Sequence, residues 1–470
     1  MPAPAQQTPA RINVWAYAAA SLALAAAVRG AMILAFPTVH GGDSVARLAN
    51  ASTFVLAYQL PLPQAFVVVG KAISDDPLLA RFFFCIWGGV LAAGVTALVG
   101  RVWGGAAAAV ATILLASDPL LIHYSIVPYQ EPVAYGLVAW AFYLAPGRHE
   151  RAAAWLMAAA CLSRYEAWLF LPGFFVATGR KRSSLLFASV PVLAWVSWWG
   201  GLGPRGTYVV DIDLLAARVS RVAYLAGKWI EYETVWLIVP ALLGCLLALR
   251  NHRSTFIRVA LQLAFVMAAV VTFGHEYPPG SGLVSERLIH LPVIAVIMAA
   301  SVSLGWMGSR SRPLAAAAVT LTLLLGARHI RFETWLLRAT AEQPDLALAR
   351  LVAHALDGER AASECVSVLA PGIDPAILDA YVAKVGAAFG DAARARELTN
   401  ALGAASPDRD RIAAQLKAPV GTVRAGIGCP LLVAIDAAGG NAVKLNLAGA
   451  RLLGELQAGS RYAAIYRIRR

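Results

Sequence analysis

Charged residues are scarce in this sequence. They make up 14% of its 470 residues, whereas soluble domains average about 25%. Hydrophobic residues make up 59%, a balance that excludes an ordinary soluble protein and indicates an integral membrane protein. The net charge of +13 does not indicate nucleic-acid binding, because the Lys and Arg residues fall in short clusters between hydrophobic runs.

Several motifs that would define a cofactor are also missing. The sequence has no P-loop and no dinucleotide-binding G-x-G-x-x-G fingerprint between a strand and a helix, which argues against a cytosolic nucleotide-linked donor. It has no C-x-x-C or H-E-x-x-H pattern and no cluster of histidines, which argues against a zinc site built by the protein. The residues specify no metal ligands, and a divalent metal stays an open alternative as cofactor.

What the sequence has instead is a series of hydrophobic runs in its first 328 residues. We expect eleven of them to form transmembrane helices. They cover residues 13–36, 81–99, 103–122, 131–146, 152–163, 164–178, 184–203, 233–250, 257–274, 288–307 and 312–327. The first run has no convincing cleavage site, so we expect it to be retained and not removed as a signal peptide.

The loops between these runs alternate in character. "RVWGG", "GRHER", "GRKRSS", "RNHRSTFIR" and "GSRSRP" are short and basic, whereas the other loops are longer, aromatic and acidic. The positive-inside rule then predicts a cytoplasmic amino terminus and an outer carboxyl terminus in a cell (inner) membrane. Twelve of the 13 acidic residues before position 329 fall on or near the predicted outer side, and only Glu150 falls on the predicted inner side. Residues 152–178 lie between two basic loops, which predicts two short helices that meet near Ser163–Arg164.

The tail, residues 329–470, has the patterning of a soluble domain and carries 14 of the 27 acidic residues. "CVSVLAPG", "PLLVAIDA" and "SRYAAIYRIR" predict strands, and "PAILDAYVAKVGAAF" and "RDRIAAQLKA" predict amphipathic helices. The predicted fold class is therefore an all-α polytopic membrane domain over residues 1–328 and a small extracytoplasmic α/β domain over residues 329–470. The tail cysteines, Cys365 and Cys429, fit either a disulfide or two buried thiols.

The segment "HGGDSVARLAN" places a carboxylate directly after the first hydrophobic run. Two glycines precede Asp43 and allow the backbone to approach a ligand closely. Because Asp43 also begins a helical stretch, an ordinary helix N-cap explains it equally well from local sequence. The other residues predicted on the same side of the membrane favour a functional interpretation.

Three further outer segments are rich in carboxylate, arginine and aromatic side chains: "LASDPLLIHYSIVPYQEPVAYGL", "CLSRYEAWLFLPGFF" and "GHEYPPGSGLVSERLIHLP". Taken singly, each has a structural explanation, such as an Arg164–Glu166 ion pair. Taken together, they suit transfer chemistry, because a carboxylate can act as general base, Arg or Lys can neutralise a departing phosphate, and aromatic rings can stack on sugars. The catalytic candidates are Asp43 and Glu131, and the substrate-binding candidates are Arg47, Lys71, His123, Tyr124, Arg164, Glu166, Glu276, Glu286 and Arg287.

The order of these features resembles the N-terminal half of GT-C glycosyltransferases. The resemblance rests on the Gly-Gly-Asp loop, on "YQLPLPQAFVVVGKAISDDPLLARFFFCIWGGV" and on "ALVGRVWGGAAAAVATILLASDPLLIHYSIVPYQEPVAYGLVAWAFYL". "CLSRYEAWLFLPG" is similar to the Arg-x-Glu segment of that family and "SERLIHLPVIAV" to its Arg-containing rim. The resemblance covers residues 10–310. It points to the polyprenyl-phosphate-sugar-dependent branch, which includes protein O-mannosyltransferases and lipid A aminoarabinose transferases.

The resemblance implies that Asp43 is the general base or the group that positions the acceptor, and that Glu131 is the second acidic residue of the rim. It also implies a pocket shaped by Arg164, Glu166 and Arg287. The implied donor is a polyprenyl-phosphate-linked sugar, the acceptor a glycan, lipid or protein, and the reaction a single displacement with inversion. Many relatives have a second acidic residue directly after the loop Asp, where this chain has Ser44, and this departure weakens the case for metal binding by the loop.

The leading alternative function is a membrane transporter or a lipid-linked-glycan flippase. Against it, the hydropathy shows no twofold repeat and the acidic residues gather on one face. Another extracytoplasmic transferase and an inactive scaffold are further alternatives. Residues 203–233, "GPRGTYVVDIDLLAARVSRVAYLAGKWIEYE", predict an amphipathic helix on the membrane surface that forms a mobile element over the pocket.

Overall fold

The structure is a computed structural model that describes most of the hydrophobic part of the chain and a few strands of the tail. The described ranges are 13–36, 59–74, 77–201, 215–232, 235–273, 286–341, 366–369, 431–436, 450–458 and 461–468, with Ser44, Arg47, Leu48, Phe54 and Leu351 as isolated residues. These residues are mostly helical.

The helices follow the hydrophobic runs closely. They are α1 (Val14–Ala35), α2 (Pro61–Ile73), α3 (Pro77–Trp103), α4 (Gly105–Ser117), α5 (Pro119–His123), α6 (Glu131–Leu144), α7 (Glu150–Cys161), α8 (Leu171–Ala177), α9 (Arg182–Gly201), α10 (Leu215–Tyr232), α11 (Val235–Asn251), α12 (Arg253–Phe273), α13 (His290–Arg310) and α14 (Arg312–Ala341). Short 3-10 helices, Tyr165–Phe170 and Glu286–Ile289, directly precede α8 and α13. Each predicted run contains a helix, whereas α2 lies in none of them.

Within the described residues, four helices are long and apolar enough to cross a membrane. They are Val14–Ala35, Leu78–Trp103, His290–Arg310 and Arg312–Ala339. Shorter apolar helices, such as Gly105–Ser117 and Trp236–Asn251, lie between them in the chain. Large apolar side chains on α11, including Val239, Leu242 and Leu246, are exposed. The chain is therefore a helical membrane-type protein, while the set of eleven crossings stays a prediction.

The chain forms two compact units. The first comprises Met1–Met32, Ala57–Pro63 and Phe84–Thr334, and the second comprises Ile33–Leu56, Gln64–Phe83 and Trp335–Arg470. Glycines allow close helix contacts in the first unit. A Cβ at Gly244 of α11 would lie 1.7 Å from the carbonyl oxygen of Ala299 in α13, and one at Gly305 of α13 would lie 2.5 Å from the backbone nitrogen of Ala107 in α4. Small residues at such contacts are typical of helices that pack inside a membrane.

The last hydrophobic helix, α14, extends beyond the run predicted to end at residue 327. The expected domain boundary at 328/329 falls inside this helix, which continues to Ala341. Its buried residues recur every three or four positions, at Ala318, Thr322, Leu325, His329 and Glu333. This spacing marks one continuous buried face. His329 and Glu333 therefore belong to the helical first unit and not to the soluble tail.

Helix α10 is the helix predicted within residues 203–233, and its faces are oriented unlike those of a helix in water. The exposed side chains share one apolar face, formed by Val222, Ala223, Ala226, Gly227 and Ile230. The opposite face is partly or fully buried, and consists of Tyr224, Leu225, Lys228 and Trp229. A water-exposed amphipathic helix has its polar residues outside and its apolar residues inside. The described part of α10 thus exposes apolar side chains, as a helix in contact with lipid does.

The tail contains a four-stranded sheet with strand order β1-β2-β4-β3. The strands are β1 (Val366–Leu369), β2 (Leu431–Asp436), β3 (Ala450–Ala458) and β4 (Arg461–Ile468). β1 pairs with β2 in parallel, and the other two pairings are antiparallel. The three predicted strands are confirmed as β1, β2 and β4. The sequence did not predict β3, because "ARLLGELQA" contains no β-branched residue. The predicted tail helices and the two tail cysteines, Cys365 and Cys429, lie outside the described residues.

Candidate functional site

Arg164 lies at the centre of a buried ion-pair triad. Its guanidinium donates to Glu131 Oε1 and, at 2.6 Å, to Glu166 Oε1. The side chains of Arg164 and Glu131 are 5% and 0% exposed, whereas that of Glu166 is 14% exposed. The Arg164–Glu166 pair expected from sequence is confirmed, and Glu131 joins it from another helix. Glu166 is the member of the triad that a ligand can reach most easily.

The local sequence explains how the triad is positioned. α6 begins at Glu131, with Pro132 in its first turn, and a carboxylate is favoured there by the helix dipole. α7 ends at Cys161, and Arg164 adopts an extended conformation (φ −156°, ψ 142°) before the next 3-10 helix. This break confirms the two predicted short helical segments that meet near Ser163–Arg164. Because α6 packs against α7, the break brings Arg164 to the start of α6.

The three side chains of the triad do not balance one another in charge. Two carboxylates face one guanidinium, so the three groups carry one net negative charge when all are ionised. Tyr135, one turn after Glu131 on α6, lies near enough to Arg164 to interact with it electrostatically. Charges buried in a membrane protein are costly unless they face protein or a wet cavity. The arrangement is suited to accept hydrogen bonds at Glu166 from hydroxyl or amine groups while Glu131 holds Arg164 in place.

Aromatic and imidazole rings lie beside the triad. The ring centroids of Tyr135 and His290 are 6.2 Å apart, and those of His290 and Tyr124 are 4.9 Å apart. Tyr124 also contacts Tyr129 at 4.9 Å and His123 at 5.1 Å between centroids. Edge-to-face pairs of this kind fix ring orientations. The predicted residues His123 and Tyr124 therefore belong to one continuous buried cluster with Glu131, Arg164 and Glu166.

At its far end, this cluster reaches a second buried polar pair. His123 Nδ1 lies 3.2 Å from Glu333 Oε1, and the two side chains are 10% and 0% exposed. Glu333 belongs to α14, so the pair joins residues 210 positions apart in the chain. In the described part of the chain, no three His, Cys, Asp or Glu residues are arranged to hold a metal ion.

The remaining predicted site residues either belong to the second unit or are not fully described by the structure. Arg47 and Lys71 belong to the second unit, where the Arg47 carbonyl accepts a hydrogen bond from Gln64 Nε2 at 3.1 Å and Lys71 lies in the last turn of α2. The structure describes only the backbone of Glu286 and Arg287, which begin a 3-10 helix. Asp43 and Glu276 lie outside the described residues.

The sequence interpretation missed three members of the buried polar network. Arg29 was treated as part of a hydrophobic run, although an arginine inside a transmembrane helix usually marks a buried polar contact. His329 and Glu333 were assigned to the soluble tail. Their spacing of four residues, in register with Leu325, was the signal that the buried helical face continued through them.

Comparison with known proteins assigns no family or function to this chain. No protein-family model matches the chain, and no curated protein is significantly similar to it. Function is therefore inferred from the quoted motifs and the buried site.

Proposed function

We propose that this protein is a membrane glycosyltransferase. It would move a sugar from a polyprenyl-phosphate donor to an extracytoplasmic glycan, lipid or protein acceptor, with inversion at the anomeric carbon. The observation that best supports this proposal is the Glu131–Arg164–Glu166 triad, buried beside tyrosine and histidine rings in a helical membrane-type protein. Ionisable residues held inside a membrane protein indicate a functional site.

In this proposal the residues of the triad have different roles. Glu166 accepts a hydrogen bond from a hydroxyl of the sugar or of the acceptor, since it is the most exposed of the three. Glu131 is fully buried, so it acts as a positioning residue that holds Arg164. Tyr124 and Tyr135 are buried beside the triad and form part of the wall that holds it in place.

The chemical step proposed here is a single displacement. Asp43 takes the proton from the acceptor hydroxyl as its oxygen attacks C1 of the sugar. The bond between C1 and the phosphate oxygen breaks, and the lipid phosphate leaves with the electron pair. Cationic groups stabilise the departing phosphate, and the candidates from sequence are Arg47, Lys71, Arg164 and Arg287.

The proposal includes a topology. Eleven crossings would place the amino terminus in the cytoplasm, with the active site and the tail outside the inner membrane. The short basic loops support this orientation, and the four helices of sufficient length together with the shorter apolar helices support membrane insertion.

One observation favours the alternative of a transporter or flippase. Arg29 and Glu333 are fully buried within helices long enough to span the membrane, and transporters place charged residues at such depth. Glycosyl transfer remains the preferred function because the outer sequence segments around the triad resemble those of glycosyltransferases.

The two functions predict different fates for the donor lipid. The purified full-length protein in proteoliposomes is given a panel of labelled polyprenyl-phosphate sugars and an envelope fraction as acceptor. We expect free polyprenyl phosphate and labelled acceptor to form together. Glu166→Gln should slow this by about 10- to 100-fold, as expected for losing a hydrogen bond to a charged group.

Glu150→Gln is the matched control, because Glu150 forms an exposed ion pair with Lys181, and it should transfer at the wild-type rate. If the intact donor crosses the bilayer and no sugar–phosphate bond breaks, the protein is a flippase and the transferase proposal is wrong.

A further inference from the structure

A second group of buried polar side chains lies around Glu333 and has no role in the proposed transfer. We call it the inner polar cluster and define it by Arg29, Asp118, His123, His329 and Glu333. It is assembled from α1, the junction of α4 and α5, the end of α5, and α14. Each of the five residues is at most 8% exposed, and three of them are 0% exposed.

Part of the hydrogen-bonding capacity of the cluster is used within the protein. The Arg29 guanidinium donates to the carbonyl oxygens of Leu115, at 3.1 Å, and Ala116, at 3.3 Å. Asp118 Oδ1 accepts from the backbone nitrogen of Leu121 at 2.9 Å and so caps α5. Glu333 Oε1 is bonded to His123 as described above. These bonds hold the side chains in fixed positions.

Several other hydrogen-bond donors and acceptors of the cluster have no partner among the described residues. Arg29 Nε, Asp118 Oδ2, Glu333 Oε2 and both ring nitrogens of His329 have no hydrogen-bond partner there. An unmet donor or acceptor in a protein interior costs about 1–3 kcal/mol. These atoms offer both donors and acceptors, as buried water molecules require.

The charges of the cluster also do not balance. The Arg29 guanidinium interacts electrostatically with the carboxylates of Asp118 and Glu333. Among the described residues, the other titratable groups that interact with this cluster include the imidazoles of His123 and His329, the Cys85 thiol of α3 and the Arg328 guanidinium beside His329. Arg328 is exposed, so it is not one of the buried charges. With neutral imidazoles, one buried guanidinium therefore faces two buried carboxylates.

Burying a net charge costs far more than binding the proton that cancels it. We infer that the inner polar cluster is an internal hydrated site that stores one proton, shared between Glu333 and His123. Its ligands are water and a proton. The site is separate from the proposed transfer chemistry, and a failed transfer assay would leave it untouched.

The stored proton is detectable by spectroscopy on the full-length protein in lipid nanodiscs at neutral pH. A proton on Glu333 gives a carboxylic-acid C=O infrared band, which shifts in D₂O. A proton on His123 gives the ¹⁵N resonance of imidazolium. We expect wild type to show one of the two signals and Glu333→Gln to lose it. Glu150→Gln, which changes an exposed carboxylate, should retain it.

Asp118→Asn provides an independent test that also applies if Glu333→Gln does not fold. Asparagine can still cap α5, but the cluster then reaches neutrality without an extra proton, so the signal should disappear. The inference is overturned if wild type shows only carboxylates and neutral imidazoles. It is equally overturned if the signal persists in Glu333→Gln or in Asp118→Asn.

Discussion

Replacing Arg164 with methionine is expected to lower the free energy of unfolding by about 3–5 kcal/mol, the usual cost of breaking a buried ion pair from one side. Methionine keeps much of the side-chain length but removes the charge. Glu131, which is fully buried, and Glu166 would then both lose the ion pair with Arg164. Unfolding of the purified protein in detergent, followed by circular dichroism, measures the change.

Two comparisons make this prediction specific. Adding Glu131→Gln to Arg164→Met should recover a large part of the loss, because the double variant removes the buried carboxylate together with the guanidinium that it pairs with. Lys181→Met breaks the exposed pair with Glu150, whose side chains are 55% and 27% exposed, and should cost less than about 1 kcal/mol. If Arg164→Met is as mild as Lys181→Met, the triad does not carry the buried charge described here.

Replacing Asp43 with asparagine is expected to slow sugar transfer by about 10²–10⁴-fold, the usual contribution of a general base. Asparagine caps a helix about as well as aspartate but cannot take a proton. The substitution therefore separates the two interpretations of this loop, since a residue that acts only as an N-cap would tolerate it without loss of transfer. The measurement is the rate of acceptor labelling from the polyprenyl-phosphate donor.

The matched control is Asp75→Asn, which makes the same change in "SDDPLL", a loop predicted on the same side of the membrane. We expect it to transfer at the wild-type rate. Wild-type transfer by a folded Asp43→Asn protein would remove Asp43 as the base.

The helices were predictable because the length and apolarity of a run are local properties of the sequence. The start of α6 at Glu131 and the break near Arg164 were also predictable, since a Glu-Pro pair and a charged residue between two short runs are local signals. α2 was missed because its apolar run is interrupted by two prolines, Gln64 and Lys71. The strand β3 was missed because its sequence contains no β-branched or aromatic residue.

The site was only partly predictable, because its pairings depend on tertiary packing. Local sequence indicated the Arg164–Glu166 pair, but Glu131 is 33 residues away from Arg164 and meets it only where α6 packs on α7. The His123–Glu333 pair was hidden for another reason. The composition changes after residue 328, and exposed arginines at 328 and 331 concealed the buried face of α14 that carries His329 and Glu333.

The transferase proposal depends most on the sidedness of the Asp43 loop. Single cysteines at Gly42 and Arg148, each in a variant lacking the five native cysteines, can be treated with a membrane-impermeant maleimide in cells whose inner membrane is intact. Arg148 is exposed, in the basic segment "GRHER". We expect Gly42→Cys to react from outside and Arg148→Cys to react only after permeabilisation. The opposite pattern, or reaction of both from one side, would place the carboxylate away from an extracytoplasmic acceptor and contradict the proposal.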